Sequence, residues 1–381
     1  MFTPRLFFES MIELVAGKNR EGYTATLLAV FRRHAKVMPS KAAFSLFRKR
    51  ISFRFFRDLL FAHLHAHDNA RQKYHGLFVY AIDGFETEIP RSNEILKAGY
   101  SGRSLGSIRQ TYYPRLYMGH CFDVINGVTK DLIVSKTNEE LRMADQIVPN
   151  LERNSITLYD RLYFCRRLIE NHAYYENYYI ARCKTEGGRS EIVAFAKSDA
   201  RQAEIEIEGH KVRLFKVANR KTKMTMVLAT NLYFDWVSHE TLYKLYFIRW
   251  EIEVSFRDLV QSLKIEDFHA KNINGVLQEL YARLWLMNFT KLCVLKSARV
   301  HLNPNSYTYF KPNYKILFSW VSQNLKAILD RAVHLWHDFT QIIALTMEKR
   351  TRRKRTYPRE LKYSGKMYPR NSAIIVTGGL T

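Results

Sequence analysis

The chain has 381 residues, 47% of them apolar and 14% aromatic, so it can bury a sizeable core and is not disordered throughout. Sixty Lys and Arg against 36 Asp and Glu give a net charge of +24, which indicates a polyanionic partner such as DNA, RNA or an anionic membrane. No apolar run approaches the ~18 residues that a membrane-spanning helix needs, so the sequence favours a nucleic acid over a membrane. The four cysteines lie far apart with no CxxC pair, which is typical of reduced thiols in a cytoplasmic protein.

The first region, residues 1–72, is predicted to be helical and to bind DNA. Residues 24–35 have helical spacing, and Pro39 and Ser40 then give a helix-start signal for a second helical segment. Aromatic and basic residues alternate in that segment, which supplies three candidate contacts to a DNA backbone: Arg48, Lys49 and Arg50. A solvated basic face on a small helical bundle explains the same pattern equally well.

Residues 73–186 are predicted to form the first part of an α/β core. LFVYAID (77–83) is a short apolar run typical of a buried strand, Asn126-Gly127 is a strong hairpin signal, and SITLYD (155–160) indicates another strand. The predicted order is three strands, helix, strand, helix, strand. Asp83 and Asp160 each stand at the end of a strand, where a rigid sheet edge can fix the geometry of metal ligands. An ordinary turn-forming aspartate is the alternative for each residue taken alone.

The rest of the chain is divided into a β-rich insertion (187–232), a second part of the core (233–295) and a helical C-terminal region with a basic tail (296–381). Three segments of the insertion are interpreted as strands, namely EIVAFA, AEIEIEGHKVRLFKV and MTMVLAT. A long helix is predicted to begin near Ser238, which is a suitable N-cap. Six of residues 349–355 are basic, which favours a loose tail that contacts the DNA backbone through Arg352, Arg353 and Lys354. A merely solvated tail is the alternative.

The long helix supplies a third acid. At about 100° per residue its apolar side chains form one stripe, and a polar stripe lies beside it. The polar stripe consists of Tyr246, Arg249, Glu253, Arg257 and Lys264. Glu253 is therefore expected at the edge of the buried face, among cationic groups that can bind phosphate. An exposed helix face with Arg249 and Glu253 as an ion pair is the alternative.

These residues resemble a known family. YFIRWEIEVSFRDLVQSLK is similar to the Tyr-x2-Arg-x3-Glu signature of bacterial insertion-sequence DDE transposases of the cut-and-paste kind, with Tyr246, Arg249 and Glu253 at the signature positions. IDGFETEIP resembles the segment that carries the first acid of the family, and LYDRLYFCRRLIENHAYYENYYIARCK resembles the segment that carries the second. LATNL also matches, and the resemblance covers roughly residues 38–295 in the family's order and spacing.

The resemblance implies a fold and a mechanism. The fold is an RNase H-like mixed β-sheet flanked by helices, with the β-rich insertion between the second Asp and the Glu. Asp83, Asp160 and Glu253 would hold two Mg²⁺ ions, with Mn²⁺ as a substitute, for cleavage and strand transfer on DNA. Tyr246 and Arg249 would hold the phosphate backbone near the cut, and Arg161, beside the second Asp, is a further candidate contact.

The implied partners are double-stranded DNA, both transposon ends and target, and a second copy of the chain in a synaptic complex. The implied location is the bacterial cytoplasm, at the nucleoid, with no membrane partner. Two other classes remain open from the residues. One is a catalytically inactive or repurposed transposase that acts as a sequence-specific DNA-binding repressor, and the other is a metal-dependent nuclease without strand transfer.

The sequence departs from the family pattern at four positions, of which Phe85 and Leu162 follow the two aspartates, and the other two bear on DNA contacts. The family signature continues to a Lys or Arg seven positions after the Glu, but residue 260 is Val, so Arg257 and Lys264, one turn to either side, are expected to substitute. Some hairpin-forming relatives have a Trp before LATNL, where this chain has Met226, so Trp236 or another aromatic residue would have to receive a flipped base.

Overall fold

The computed structural model describes residues 2–16, 22–101, 112–218, 225–233, 238–297 and 308–351. Trp236 and the basic residues Arg352, Arg353 and Lys354 lie outside these ranges. Among the described helices, none combines the length and apolar character that crossing a bilayer requires. All four cysteines are free thiols.

The N-terminal region is helical, as predicted. Its helices are α1 (Pro4–Ala16), α2 (Tyr23–Arg33), α3 (Lys41–Arg50) and α4 (Arg54–His65). Ser40 caps α3, where its hydroxyl accepts a hydrogen bond from the backbone N–H of Ala43 (3.1 Å). The second predicted segment is thus two helices rather than one, because the chain becomes extended at Ile51.

The core is an eight-stranded mixed sheet. Its strands are β1 (Val79–Glu88), β2 (Arg115–Asp123), β3 (Val128–Ser135), β4 (Ile156–Tyr159), β5 (Tyr178–Arg182), β6 (Gln202–Ile207), β7 (His210–Ala218) and β8 (Thr225–Thr230). They lie in the order β3-β2-β1-β4-β5-β8-β7-β6, with β1, β4 and β5 parallel and the other neighbouring pairs antiparallel. The first five strands have the arrangement of an RNase H-like core, which confirms the predicted fold class. Asn126-Gly127 lies in the β2–β3 turn, as predicted, and Gly127 adopts a positive φ of 70°.

Helices cover both faces of this sheet. On one face lie α6 (Glu140–Ile147), α7 (Arg166–Tyr174) and α8 (Ser190–Lys197), which bury Ile147, Ile169 and Ile192 against the strands. On the other face lie α9 (His239–Phe247) and α10 (Glu251–Gln261), which bury Leu242 and Ile252. A short helix, α5 (Asn93–Lys97), follows β1. Strand residues alternate between the two layers, as a sheet buried on both faces requires.

The predicted strand EIVAFA is wrong, since these residues form α8. Ile192 and Phe195, three positions apart, are its buried residues, so the run follows the helical period rather than the strand period. The other two predicted strand segments do form strands, β6–β7 and β8, and they extend the core sheet beyond β5. The division of the chain into five functional regions stays a prediction.

The long helix predicted from Ser238 is also different in detail. Ser238 caps α9 as expected, but a 3₁₀ turn at Ile248–Trp250 separates α9 from α10. Helix α10 ends at Gln261, so Lys264 is not on the helix face where it was predicted, and it adopts a positive φ of 50°. The 3₁₀ turn interrupts the predicted continuous helix, but the Arg249 guanidinium still lies 3.7 Å from the Glu253 carboxylate.

The C-terminal part is built around a central helix. Helix α11 (Ile273–Ser297) is buried on nearly all sides by α1, α4 and β3, and by the helices that follow it in the chain. The elements that follow α11 in the chain are β9 (Thr308–Pro312), α12 (Tyr314–Gln323), α13 (Leu325–Leu329), α14 (His334–Leu345) and β10 (Met347–Thr351). The basic run 349–355 was predicted to be a loose tail, but its first three residues belong to β10, which pairs with β9.

Candidate active site

The sheet register brings the two aspartates to one place. Strands β1 and β4 run parallel with Ala81 opposite Leu158, so two residues further along both strands Asp83 and Asp160 stand side by side. Strand β4 ends at Tyr159, whereas β1 continues to Glu88. Asp83 is therefore inside its strand and not at its end as predicted, but it lies where the neighbouring strand stops.

The segment from α9 to α10 supplies the remaining side chains of the site. The Tyr246 hydroxyl donates a long hydrogen bond to Oδ1 of Asp160 (3.5 Å). The Arg249 guanidinium lies 3.7 Å from Oδ2 of Asp83 through Nη1 and 3.7 Å from Oε1 of Glu253 through Nη2. Two side chains of one helical turn thus touch all three predicted acids. The Arg249 and Tyr246 side chains are buried, while 43% of the Glu253 side chain is exposed.

The electrostatics of the site centre on Asp83. Burial raises its pKa to about 6, with smaller upward contributions from the carboxylates of Glu140 and Asp160. The Gly84 N–H, which donates to Oδ1 (2.9 Å), and Arg249 lower the pKa but do not offset the burial. Burial also raises the pKa of Tyr246 to about 12, so its hydroxyl stays protonated and remains a donor. The Asp83 carboxyl group is therefore harder to ionise than an ordinary aspartate.

The three acids are chemically suited to bind a divalent cation, because each offers hard carboxylate oxygens as ligands. Within the described ranges, no three His, Cys, Asp or Glu side chains are grouped as tightly as a preformed metal centre. The guanidinium of Arg249 stands between Asp83 and Glu253, 3.7 Å from each carboxylate. It provides there the positive charge that a bound cation would provide.

One test of this electrostatic description is the substitution Asp83→Asn in metal-free protein. The pKa of Asp83 is higher in the folded chain than the ordinary 3.8, so its contribution to stability is favourable at low pH and is lost as pH rises through about 6. We expect the variant to be more stable than the parent by about 2 kcal/mol at pH 7.5, and by much less near pH 4. Urea denaturation in EDTA at the two pH values measures this. An equal effect at both values would show that charge is not the cause.

The residues predicted to contact DNA differ in their exposure to solvent. Arg161 is exposed directly after Asp160, Arg257 is exposed on α10, and Lys264 is exposed beyond it. Lys49 and Arg50 are exposed at the end of α3. Arg48 is only 4% exposed, and its guanidinium pairs with Glu279 of α11 (3.0 Å), so it points into the protein and not toward a ligand. Its basic charge had suggested a DNA contact, but its guanidinium donors are already engaged in hydrogen bonds within the protein, which argues against that role.

Sequence reasoning missed two groups beside the site, Glu140 and Trp250. Glu140 begins α6, and its carboxyl group lies against Gly84, next to Asp83. Trp250 is 49% exposed, and the Arg249 guanidinium lies 5.4 Å from its ring centroid. The only available signal for Glu140 was the glycine after Asp83. Trp250 was visible inside the signature but carried no distinguishing pattern.

No curated protein matches the chain. A solved structure, described as a cryo-EM structure of the piggyBac transposase synaptic complex with hairpin DNA, is similar over 89% of this chain and 75% of that chain, with 12% identity and a TM-score of 0.45. The model of the family described as "Transposase DDE domain" matches residues 76–289, which is more than half of the chain and includes Asp83, Asp160 and Glu253. The protein therefore belongs to the transposase DDE domain family.

Proposed function

We propose that the protein is the DNA transposase of an insertion sequence, which binds the element's terminal inverted repeats, cuts them and joins the ends to new DNA. The observation that supports this most directly is the position of the Tyr246–Arg249 turn. It touches Asp83, Asp160 and Glu253, three acids that are far apart in the sequence. A structural ion pair on an exposed helix face would not need the two sheet aspartates.

Asp83, Asp160 and Glu253 would hold two Mg²⁺ ions, or Mn²⁺ in their place. When bound, these ions supply activation of water for attack on a phosphodiester and stabilisation of the leaving oxygen. The parallel pairing of β1 and β4 positions the two aspartates, and the Gly84 N–H orients the Asp83 carboxylate. Glu253 comes from a helix and is the most exposed of the three, so it can adjust when the site is loaded.

Arg249 and Tyr246 would hold the DNA phosphate at the cut. Both ion pairs of Arg249 are longer than a hydrogen bond, and its buried Nε has no hydrogen-bond partner among the described residues. Such a guanidinium has donors available for a bidentate contact with a phosphate. The Tyr246 hydroxyl, kept protonated by burial, is a second donor in the same turn.

The proposed reaction has two steps, strand cleavage and strand transfer. Water adds to phosphorus and the bond to the 3′ oxygen breaks, which leaves a 5′-phosphate and a free 3′-hydroxyl. That hydroxyl then attacks a second phosphodiester, either on the opposite strand to form a hairpin or on target DNA, and displaces another 3′ oxygen. The half-exposed Trp250 beside Arg249 is suitably placed to stack on an unpaired base.

The DNA path is proposed to follow the exposed cations. Lys49 and Arg50 on α3, Arg161 after β4, and Arg257 and Lys264 at the end of α10 contribute phosphate contacts, as do the basic residues 352–354. Two element ends must be held together, so we propose a homodimer in the synaptic complex. We propose that the protein acts at the nucleoid, in the bacterial cytoplasm.

The experiment is a cleavage assay with the genomic DNA that flanks the gene, in Mg²⁺ and then in EDTA. We expect nicked and joined products that depend on Mg²⁺ and on inverted repeats in that DNA. Binding without any cut supports the repressor instead. Cleavage without joined products supports a nuclease. Either result overturns the transposase proposal.

The basic residues after β10 carry a separate prediction. Replacing Arg352, Arg353 and Lys354 with Gln should weaken binding to all DNA sequences and reduce the slope of log affinity against log salt by about 2 to 3, because each phosphate contact releases counterions. Fluorescence anisotropy over a salt series measures the slope. The control replaces three exposed basic residues near the far edge of the sheet, Lys197, Arg201 and Lys211. An unchanged slope for the 352–354 variant contradicts a backbone role.

A further inference from the structure

A glycine pair on the central strands creates room for a helix. Gly84 of β1 and Gly119 of β2 are directly opposite each other in the register. A Cβ built at Gly119 would lie 2.6 Å from Cβ of Met143, and a Cβ built at Gly84 would lie 2.4 Å from Cδ and 2.6 Å from Oε1 of Glu140. Neither glycine has a positive φ, so space rather than backbone conformation explains them. Helix α6 lies over this gap.

The gap lets Glu140 approach the catalytic acids from the side opposite to α10. Glu140 and Met143 are three residues apart on α6, and Ala144 and Ile147 anchor the helix in the buried layer beneath. The Glu140 carboxyl group consequently lies against the backbone of the residue that follows Asp83. Strand β4 has ended at this level, so its backbone does not separate Glu140 from the site.

A tyrosine fixes the orientation of this carboxylate. The Tyr163 hydroxyl donates to Oε2 of Glu140 (3.3 Å), and Tyr163 is a buried residue three positions after Asp160. Oε1 is the oxygen that lies close to Gly84. Glu140 is thus held between the strand that carries Asp83 and the segment that carries Asp160.

We propose that Glu140 is a fourth carboxylate of the site, a positioning residue that strengthens the binding of the divalent cation at Asp83. The inference rests on the proposed function. Its physical basis is that an added fixed anion raises cation affinity, and that carboxylates of the outer shell act through the waters that Mg²⁺ and Mn²⁺ retain. The alternative role is structural, as an acid that complements the N-terminus of α6.

The test is Mn²⁺ binding to the full chain without DNA, measured by isothermal titration calorimetry and by the rise in melting temperature. Glu140→Gln keeps the size of the side chain and an acceptor for Tyr163 but removes the charge. We expect Mn²⁺ affinity to fall roughly tenfold, the melting temperature in EDTA not to fall, and cleavage to recover at high Mn²⁺. The matched control is Glu139→Gln, a partly exposed neighbour paired with Arg142, which should leave affinity unchanged.

Gly84→Ala offers a second route to the same result. The added methyl group must displace the flexible end of the Glu140 side chain, so Mn²⁺ affinity should fall by a similar factor, and the double variant with Glu140→Gln should bind no more weakly than Glu140→Gln alone. Unchanged Mn²⁺ affinity in Glu140→Gln, with a lower melting temperature in EDTA, overturns the inference in favour of a structural role.

Asp83→Asn in the same titration separates this inference from the proposed function. If Asp83→Asn weakens Mn²⁺ binding and Glu140→Gln does not, only the role of Glu140 fails. If neither substitution changes the affinity, the proposed metal site itself fails.

Discussion

Glu253→Gln is expected to reduce DNA cleavage by about a thousandfold while binding to the element's ends stays within a few-fold. Glutamine has nearly the same shape and preserves α10, but it lacks the charge needed to hold a divalent cation. The charge stabilisation that such an ion supplies is worth several kcal/mol. A loss of about 4 kcal/mol corresponds to a thousandfold in rate.

The control for this prediction is a second acid on α10. Glu251→Gln changes an exposed acid two residues earlier, on a different side of α10, and should leave cleavage unchanged. Cleavage under single-turnover conditions and binding by anisotropy are measured for both variants. Equal loss of binding and cleavage in Glu253→Gln would show that Glu253 is structural. Full cleavage by Glu253→Gln would show that Glu253 is not part of the active site.

The framework of the site could be predicted from local patterns. Asp83 and Asp160 follow short apolar runs typical of buried strands, and the observed parallel register of β1 and β4 brings them to the same level. The spacing of Tyr246, Arg249 and Glu253 follows the helical period, so it survives even though a 3₁₀ turn interrupts the helix. These features depend on residues within one element or on the order of elements.

Features that depend on distant residues could not be predicted. EIVAFA is too short for its period to distinguish a helix from a strand, and packing against the sheet decides it. The contact of Glu140 with Gly84 joins residues on separate elements, as does the pairing of Arg48 with Glu279. Charge patterns on α3 indicated DNA contacts, but they do not reveal which basic side chain faces the interior.

Arg48 provides the second large expected effect. Its guanidinium donates to the side chains of Tyr23 (2.7 Å), Gln278 (3.2 Å) and Glu279 (3.0 Å) and to the backbone carbonyl of Gly275 (3.0 Å). Burial alone would raise the pKa of Glu279, but Arg48, with help from His269 and Arg283, lowers it to about 2. Helix α3 is thereby fixed to the central helix α11 through a charge pair that is almost fully buried.

Arg48→Met should therefore lower the free energy of unfolding by about 3 to 5 kcal/mol, because it leaves the buried Glu279 carboxylate without its main partner. The stability that a lowered carboxyl pKa provides is present above the ordinary value near 4.5 and is lost as pH falls toward 2, so the difference from the parent should shrink in that window.

Lys49→Met is the matched control at the next position. It is exposed, so its stability should change by less than about 0.5 kcal/mol while its DNA affinity falls. Urea denaturation and DNA binding at low temperature distinguish the two variants. A stable Arg48→Met protein with weakened DNA binding would restore Arg48 as a DNA contact.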